Sequence, residues 1–492
     1  MDEAMDNFKT HFARVLPIIG RDLQSAKVAV LGLDLAEPII KDLAACGLGK
    51  WLWLGAHTEQ AQSLALFLQQ QHGPALNLDL DIVSQVDHFS PERADRPDLV
   101  LAVGDKTTLS VGLRLALKGK MPALLVRPPD QAQPGQAITY FPGDEPPDLA
   151  ALWPLQGVDF WPWATMAPLC AGLARAMLLR TGPYRRVDLA ALWERGIRVM
   201  QIASTSDPLR PLWLSNPAWS KPSSAAAADQ FQTPSSRWGR LLIAGLGSLG
   251  SVAATHLVDW VAGLVVADPD QVDDCNPVRQ AYPQSTVGRP KAQALAGLLQ
   301  AAGLAKVCPL NRALRGEEMV ARLVEQHQIS AALVVTGTEA DFAIARALRQ
   351  HDIPHVVGRC YPRARYWEAI VVDGRRGPSL SDMRGHLRVG PIPPPTPEQR
   401  AAYSDAGALE AEPATLIESG WAAAWLARLT GQILTPPALR ERWFLELLAG
   451  HQTCLIGGVG VEPTPQGAAY AIDLPGQINS WQRSNIRRDE SV

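Results

Sequence analysis

The order of apolar segments in the first half of the chain occurs again in the second half. Residues 27–32 (KVAVLG) and 240–245 (RLLIAG) are short apolar segments ending in glycine, so that Lys27 corresponds to Arg240. A second apolar segment follows at the same offset, at 51–55 and at 264–268. Three further pairs match: 98–105 with 332–339, 121–127 with 353–359, and 137–141 with 369–372. This pattern predicts that one folding unit is present twice.

The spacing of these segments leaves room for helices between successive strands. Strands that alternate with helices are typical of mostly parallel sheets built from βαβ units. We therefore predict an α/β fold with two doubly wound, Rossmann-like domains that pack as an internal pseudo-dimer. Residues 216–239 are rich in Ser, Ala and Pro and are the predicted linker, which separates a domain at 1–215 from one at 240–492.

Composition excludes several classes of protein. The 492 residues are 47% hydrophobic, which is enough for two or three domains with their own cores. A net charge of −3 without a long basic run argues against a nucleic-acid partner. The longest apolar segment, 166–179, contains Arg175 and predicts a buried helix and no membrane span. Six scattered cysteines and a polar N-terminus predict reduced thiols in a cytoplasmic protein.

The second half carries a glycine-rich turn, Gly245-Leu-Gly247-Ser-Leu-Gly250, between a predicted strand and a predicted helix. Glycines in this context allow a tight turn and a close approach of the backbone to a nucleotide. The helix N-terminus also favours phosphate. Asp268 ends the next predicted strand, where it is placed to bind ribose hydroxyls. These features predict a site for ATP or a dinucleotide.

The first half lacks the residues of this site. At the offset that matches Lys27 with Arg240, Asp34 and Glu37 take the places of Gly247 and Gly250. Gly55 takes that of Asp268. Two carboxylates would repel a phosphate, and no acid remains for a ribose. We therefore expect residues 1–215 to form an inactive copy of the second domain.

Asp268 opens the segment DPDQVDDCNPVRQ, which is followed by VGRPK. With the glycine turn, these segments resemble the ubiquitin-activating-enzyme superfamily, which includes the ThiF- and MoeB-like adenylyltransferases of thiamine and molybdopterin biosynthesis. The resemblance implies that Asp268 binds the ribose of ATP and that Asn276, Arg279 and Lys291 contact its phosphates. One polar and two cationic groups suit a triphosphate with roughly four negative charges.

The resemblance implies two further site residues. Family members support Mg²⁺ with an aspartate in a turn after a later strand, and the matching residue here is Glu339, with Asp341 as the alternative. Family enzymes also insert an arginine from the partner subunit into the active site. Arg14 precedes the first strand of the first half and is its predicted counterpart, which would reach the ATP across the pseudo-dimer.

Members of the family that form a thioester often carry the cysteine in a crossover loop. The corresponding residues, 373–416, include no cysteine. Cys360 is the predicted candidate instead, because neighbouring arginines would lower the pKa of its thiol. Cys275 and Cys454 are expected to be structural. The arginines in question are Arg359, Arg363 and Arg365.

The predicted reaction is ATP-dependent adenylation of the C-terminal carboxylate of a ubiquitin-like protein, with or without a thioester on Cys360. An activating enzyme of a bacterial ubiquitin-like conjugation system would do this, with a ubiquitin-like protein and a conjugating enzyme as partners and ATP and Mg²⁺ as cofactors. An NAD-dependent oxidoreductase is one alternative, but it leaves Asn276, Arg279 and Lys291 without a role. A non-catalytic scaffold that binds a ubiquitin-like partner is another, as is adenylation for a small-molecule or tRNA acceptor.

Overall fold

The computed structural model describes most of both repeated halves. The described residues are 12, 23, 25–86, 89, 96–128, 136–140, 142–143, 146, 149, 163–179, 186–188, 201–203, 237–360, 366–377, 379–383, 415–436, 440 and 454–458.

The first half forms a sheet with the strand order β3-β2-β1-β4-β5-β6-β7-β8. The pairs among β1 to β5 are parallel, whereas β6, β7 and β8 join in antiparallel fashion. The strands are β1 (Lys27–Leu31), β2 (Lys50–Leu54), β3 (Asp79–Val83), β4 (Leu99–Val103), β5 (Ala123–Arg127), β6 (Gln136–Tyr140), β7 (Arg186–Asp188) and β8 (Gln201–Ala203). The helices are α1 (Leu33–Ala44), α2 (Thr58–His72), α3 (Lys106–Gly119) and α4 (Trp163–Leu179).

The second half forms a sheet with the order β11-β10-β9-β12-β13-β14-β15. Its strands are β9 (Trp238–Ala244), β10 (Val261–Ala267), β11 (Val307–Leu310), β12 (Ala331–Val334), β13 (His355–Cys360), β14 (Tyr366–Val372) and β15 (Cys454–Gly458). Its helices are α5 (Ser248–His256), α6 (Lys291–Ala301), α7 (Glu317–His327), α8 (Ala340–Gln350), α9 (Leu380–Met383) and α10 (Leu416–Leu434). Helices on both faces bury the central parallel strands, which explains their continuous apolar sequences.

The two sheets repeat each other in register as well as in order. Val28 of β1 pairs with Trp51, and its equivalent Leu241 of β9 pairs with Leu264. A side-chain contact also recurs at the start of the two central strands. Lys27 N donates to Asp98 Oδ2 at 3.0 Å, and Arg240 N donates to Ser330 Oγ at 3.0 Å. The predicted pair of doubly wound, Rossmann-like units is confirmed.

One predicted match is wrong by two positions. Val28 pairs with Leu99 where Leu241 pairs with Ala331, so that Leu99 of β4 corresponds to Ala331 of β12. The predicted match of 98–105 with 332–339 instead equates Leu99 with Leu333. Uniformly apolar strands can be shifted along each other in a sequence comparison without a visible penalty, whereas hydrogen bonding to the neighbouring strand fixes their register. The other two predicted matches, 121–127 with 353–359 and 137–141 with 369–372, agree with the strand pairing, which equates Ala123 with His355 and Tyr140 with Val372.

The halves pack against each other through equivalent helices. α4 lies against α1 in the first half and against α10 in the second, while α10 also packs on α5. Arg175 of α4 donates from Nη1 to Thr415 Oγ1 at 3.0 Å. One continuous apolar core includes buried residues of both halves. The predicted internal pseudo-dimer is therefore confirmed.

The longest apolar segment of the sequence has the predicted structure, because residues 166–179 lie inside α4 and Cys170 and Ala171 are fully buried. Among the described residues, no helix has the length and apolar character needed to cross a bilayer.

Candidate nucleotide-binding site

The glycine turn joins β9 to α5, and its three glycines meet different steric demands. Gly245 has a φ of +92°, and a Cβ there would lie 2.5 Å from the carbonyl oxygen of Val335. A Cβ on Gly250 would lie 1.9 Å from the carbonyl oxygen of Gly245. By contrast, no heavy atom of the described residues lies within 4 Å of a Cβ on Gly247. Packing therefore requires two of the glycines, whereas Gly247 faces open space.

Asp268 ties the end of β10 to the glycine turn. Its Oδ2 accepts from Leu246 N at 2.6 Å, and its Oδ1 accepts from Asp270 N at 2.9 Å. The residue is only 6% exposed. The predicted ribose ligand thus also holds the turn in place, because a buried carboxylate with two backbone donors has a fixed orientation.

The two predicted phosphate-binding segments meet at the base of a closed loop. Gln271 forms an antiparallel bridge with Pro290, next to the pair of Asp270 and Lys291. Lys291 Nζ lies 2.9 Å from Asp270 Oδ2, and its backbone N donates to Asp270 O at 2.9 Å. Lys291 is the first residue of α6 and is buried. Its ammonium group is therefore held at the mouth of a helix N-terminus, which favours anions.

Arg279 lies within this loop and is 7% exposed. Its backbone N donates to Asn276 O at 3.0 Å, and Asn276 Oδ1 accepts from Asp273 N at 3.1 Å. Asn276 therefore shapes the turn that presents Arg279. Asn276 itself is buried and does not line the cavity described below.

Tyr282 stabilises the glycine turn through a buried hydrogen bond. Its hydroxyl donates to Leu246 O at 2.9 Å. Burial, together with the charges of Asp268 and Asp270, holds the pKa of Tyr282 well above its ordinary value, so that the hydroxyl remains a donor. Gln71 of α2 donates from Nε2 to Tyr282 O at 2.7 Å, which links the first half to this loop.

We expect Tyr282→Phe to lower the free energy of unfolding by about 1 kcal/mol, because it leaves the carbonyl oxygen of Leu246 without its donor. The looser turn should weaken Mg·ATP binding a few-fold. Urea unfolding and calorimetric titration measure the two effects. Tyr140→Phe, at a buried tyrosine of β6, is the matched control and should leave the ATP affinity unchanged. Identical stability and affinity in Tyr282→Phe and the wild type would contradict this role.

A cavity of about 550 Å³ lies over the carboxyl ends of the strands of the second sheet. This volume is within the range of small-molecule sites. It brings together five of the predicted residues, which are Gly245, Gly247, Asp268, Arg279 and Lys291. Gly250, Asn276 and Glu339 do not line it.

The cavity wall also includes cations that the motif does not contain. Arg315 belongs to the loop between β11 and α7, and Arg359 lies near the end of β13. Without these two arginines the cavity wall would have no net charge, because the negative charges of Asp268 and Asp270 offset the positive charges of Arg279 and Lys291. Arg315 and Arg359 therefore give the cavity its positive charge, which suits a polyanionic ligand.

The predicted metal ligand and its alternative have different environments. Glu339 is exposed and directly precedes α8. Asp341 is fully buried, and its Oδ1 accepts from Thr336 N at 3.1 Å and from Thr336 Oγ1 at 2.6 Å. Burial raises the pKa of Asp341 against the opposing effects of Thr336 and of the Arg359 charge. The described residues contain no group of three or more His, Cys, Asp or Glu that could hold a metal.

Two predicted residues lie partly or wholly outside the described part of the chain. Arg14 is not described, although Phe12 is fully buried with its ring centroid 6.1 Å from that of His72 in α2. Cys360 is the last residue of β13, where its backbone pairs with Trp367, but its side chain is not described. Residues 216–236 and 384–414, which include most of the predicted linker and crossover loop, are likewise not described.

The equivalent turn of the first half has another shape. α1 begins at Leu33, directly after Gly32, so that Asp34 lies in the first turn of a helix. In the second half three residues separate β9 from α5, which begins at Ser248. At the end of β2, Gly55 with a φ of +70° replaces the acid. The first half therefore has neither the open turn nor the carboxylate of the second.

Comparison with known proteins agrees with this geometry. Residues 226–433 match the ThiF family. The second half contains a ThiF-family domain. The predicted membership of the superfamily is thereby confirmed for this domain.

The solved structures that match parts of this chain include PaaA, Escherichia coli MccB with AMPCPP and MccA, and TcdA (CsdL). PaaA is 17% identical over 40% of this chain and 57% of its own, with a TM-score of 0.29. MccB is 12% identical over 43% and 59%, with a TM-score of 0.30, and TcdA is 20% identical over 26% and 54%, with a TM-score of 0.24. The chain thus spans less than two thirds of each of these proteins. No curated protein matched.

Proposed function

We propose that this protein catalyses the ATP-dependent adenylation of a carboxylate in the cavity of its second half. One observation carries the proposal: a single cavity brings together the open glycine turn at Gly247, the buried acid Asp268, and the cations Arg279 and Lys291. The turn and the acid suit the α-phosphate and ribose of a nucleotide. The cations suit the β- and γ-phosphates of a triphosphate, whereas NAD has only the two phosphates of its bridging pyrophosphate.

Catalysis would depend on positioning and charge stabilisation. Arg279 and Lys291 would orient the β- and γ-phosphates and stabilise the charge that develops on the leaving pyrophosphate. Glu339 does not line the cavity itself but stands between Thr338 and Ala340, which do, and it would hold Mg²⁺ together with phosphate oxygens, since Mg²⁺ commonly takes few protein ligands. A carboxylate is already deprotonated at neutral pH, so the reaction requires no general base.

The first half would serve as the inactive partner of the pseudo-dimer. We propose that residues 1–215 form this inactive domain, that 216–239 are the linker, and that 240–492 form the active domain. Arg14 would enter the active site from the first half. The burial of Phe12 beside His72 of α2 favours this role, because Gln71 of the same helix donates to Tyr282 in the loop that also contains Arg279. Arg14 follows Phe12 by two residues, which span at most about 7 Å of extended chain. Its long side chain adds to this reach.

The proposed acyl substrate is a ubiquitin-like protein with a free C-terminal carboxylate. The duplicated architecture, with one nucleotide site for two domains, favours an activating enzyme of a ubiquitin-like conjugation system. A thioester on Cys360 and transfer to a conjugating enzyme would follow adenylation. The position of Cys360 next to Arg359, which lines the cavity, supports this assignment.

Nucleotide-dependent thermal stabilisation tests the proposal. At about 100 times its dissociation constant, Mg·ATP should raise the unfolding free energy of the wild type by roughly 2.7 kcal/mol, whereas NAD should not. Arg279→Ala should lose most of this increment, because a charged hydrogen bond contributes about 1.5–3 kcal/mol. Each increment is measured against the same variant without ligand, which removes any effect of Arg279 on the fold.

Arg322→Ala is the matched control, because Arg322 lies on the exposed side of α7, where it pairs with Glu318. It should keep the full Mg·ATP increment. Stabilisation by NAD alone would contradict adenylation and favour an oxidoreductase. Stabilisation by Mg·ATP without pyrophosphate release in the presence of ubiquitin-like proteins would favour a scaffold.

A further inference from the structure

Arg359 stands on the side of the cavity opposite Lys291. It lies near the end of β13, two strands from β9, whereas Lys291 begins α6, which packs on β10 and β11 on the other side of β9. Neighbouring strands are about 4.8 Å apart, so β13 ends roughly 10 Å from the glycine turn. The side chain of Arg359 together with a small ligand group can bridge this distance.

A buried network fixes the direction of Arg359. Its Nη2 lies 3.5 Å from Asp341 Oδ2, and its guanidinium carbon lies 5.0 Å from the centre of the Phe342 ring. The side chain of Asp341 is inaccessible to solvent and is itself fixed by the two hydrogen bonds from Thr336. The 3.5 Å separation exceeds a normal charged hydrogen bond, so the contact with Asp341 does not use up the Nη donors of Arg359, whose side chain is 21% exposed. The guanidinium therefore keeps donors for a ligand.

We propose that Arg359 binds the carboxylate of the acyl substrate and that Asp341 positions it for this contact. The inference rests on the proposed adenylation. In that reaction a carboxylate oxygen forms a bond to the α-phosphorus, the bond from phosphorus to the bridging oxygen of the β-phosphate breaks, and pyrophosphate leaves with the electron pair. Attacking and leaving oxygens stand on opposite sides of the phosphorus in an in-line displacement.

Lys291 would set the leaving side, so the attacking carboxylate would approach from the side of β12 and β13. Arg359 is the cavity-lining cation on that side. Its planar guanidinium can donate two parallel hydrogen bonds to a carboxylate, which orients the attacking oxygen. After attack, the acyl carbonyl oxygen remains within its reach.

Two stable adenylate analogues test this contact without a known protein substrate. The methyl ester of adenosine 5′-monophosphate presents the nucleotide with one negative charge and no acyl group, whereas 5′-O-[N-(acetylglycyl)sulfamoyl]adenosine, whose N–H is ionised at neutral pH, has the same charge and adds an acyl group that resembles the C-terminus of a peptide. The ratio of their dissociation constants, measured by calorimetry, isolates the acyl contribution. We expect the wild type to bind the acyl compound about 10- to 100-fold more tightly, the effect of one charged hydrogen bond.

Arg359→Ala should reduce this ratio to about 1, and Arg359→Lys should restore part of it. Asp341→Asn should give an intermediate ratio, because it keeps an acceptor for Thr336 but loses the charge that holds Arg359. Arg346→Ala, at an exposed arginine of α8, is the matched control and should keep the wild-type ratio. A loss of stability alone would weaken both compounds equally and leave the ratio unchanged.

Persistence of the wild-type ratio in Arg359→Ala would overturn the inference. Equal affinity of the wild type for both compounds would also overturn it, while leaving nucleotide binding intact. If the wild type bound neither compound nor Mg·ATP, the proposed function itself would be wrong.

Discussion

Replacing Gly247 with alanine is expected to abolish nucleotide binding while leaving the fold intact. Gly247 has a φ of −72°, which alanine adopts without strain, and its Cβ would enter open space. That space lies inside the cavity, where a phosphate would approach the backbone donors of the turn. Loss of two charged hydrogen bonds, each contributing about 1.5–3 kcal/mol, corresponds to a loss of affinity of at least about 100-fold. Calorimetric titration with Mg·ATP measures the affinity, and urea unfolding measures the stability.

Gly250→Ala is the matched control, since it adds the same methyl group three residues away. Its Cβ would lie 1.9 Å from the carbonyl oxygen of Gly245. The helix must shift, and we expect a loss of stability of about 1–3 kcal/mol or more. Stability should thus fall in Gly250→Ala and remain unchanged in Gly247→Ala. If Gly247→Ala bound Mg·ATP as tightly as the wild type, the cavity would not be a nucleotide site of this type.

The sequence was sufficient to predict the fold because the chain repeats. A single apolar segment could be a strand or part of a buried helix. The same order of segments in two halves indicates that they are the strands of two similar sheets. The predicted offset, which matches Lys27 with Arg240, is correct for β1 and β2 with β9 and β10. The error of two positions at β4 and β12 arises where apolar residues repeat without a marker, and where only pairing with β1 and β9 sets the register.

Sequence predicted those residues of the cavity wall that are close to one another along the chain. Gly245, Gly247 and Asp268 follow adjacent strands, and Arg279 and Lys291 belong to one closed loop. Arg315 and Arg359 follow other strands, and only the convergence of strand ends in a parallel sheet brings them to the same cavity. That convergence is a general property of doubly wound sheets. In the sequence analysis, Arg359 was named only as a neighbour of Cys360. The same rule, applied to the carboxyl end of β13, also predicts that Arg359 lies at the cavity.

Asp341 illustrates what sequence cannot supply. Its spacing from the strand made it an alternative metal ligand, but its side chain points into the protein, where Thr336 and Arg359 surround it. An acidic residue at the start of a helix can face the cavity or the core, and the choice depends on packing against neighbouring strands. The sequence pattern contains no signal that distinguishes the two.

Asp268→Ala is expected to lower both stability and nucleotide affinity, and the loss of two charged hydrogen bonds to the ribose hydroxyls corresponds to a loss of affinity of about 1,000-fold. The carboxylate accepts from two backbone donors, Leu246 N and Asp270 N, and both are left without that partner in the variant. Each unsatisfied buried donor costs about 1–3 kcal/mol, so we expect the unfolding free energy to fall by about 3 kcal/mol. Asp270 in turn holds Lys291, and the variant therefore loosens the glycine turn and Lys291 together.

The affinity loss combines the ribose contact with this loosening, and a second variant separates them. Lys291→Met keeps Asp268 and the turn but removes the ammonium group, so it should weaken Mg·ATP and leave adenosine binding unchanged. Asp268→Ala should weaken both ligands, because ribose is common to them. Asp259→Ala, at an exposed carboxylate after α5, should change neither. Unchanged adenosine affinity in Asp268→Ala would show that Asp268 only supports the turn and does not bind the ribose.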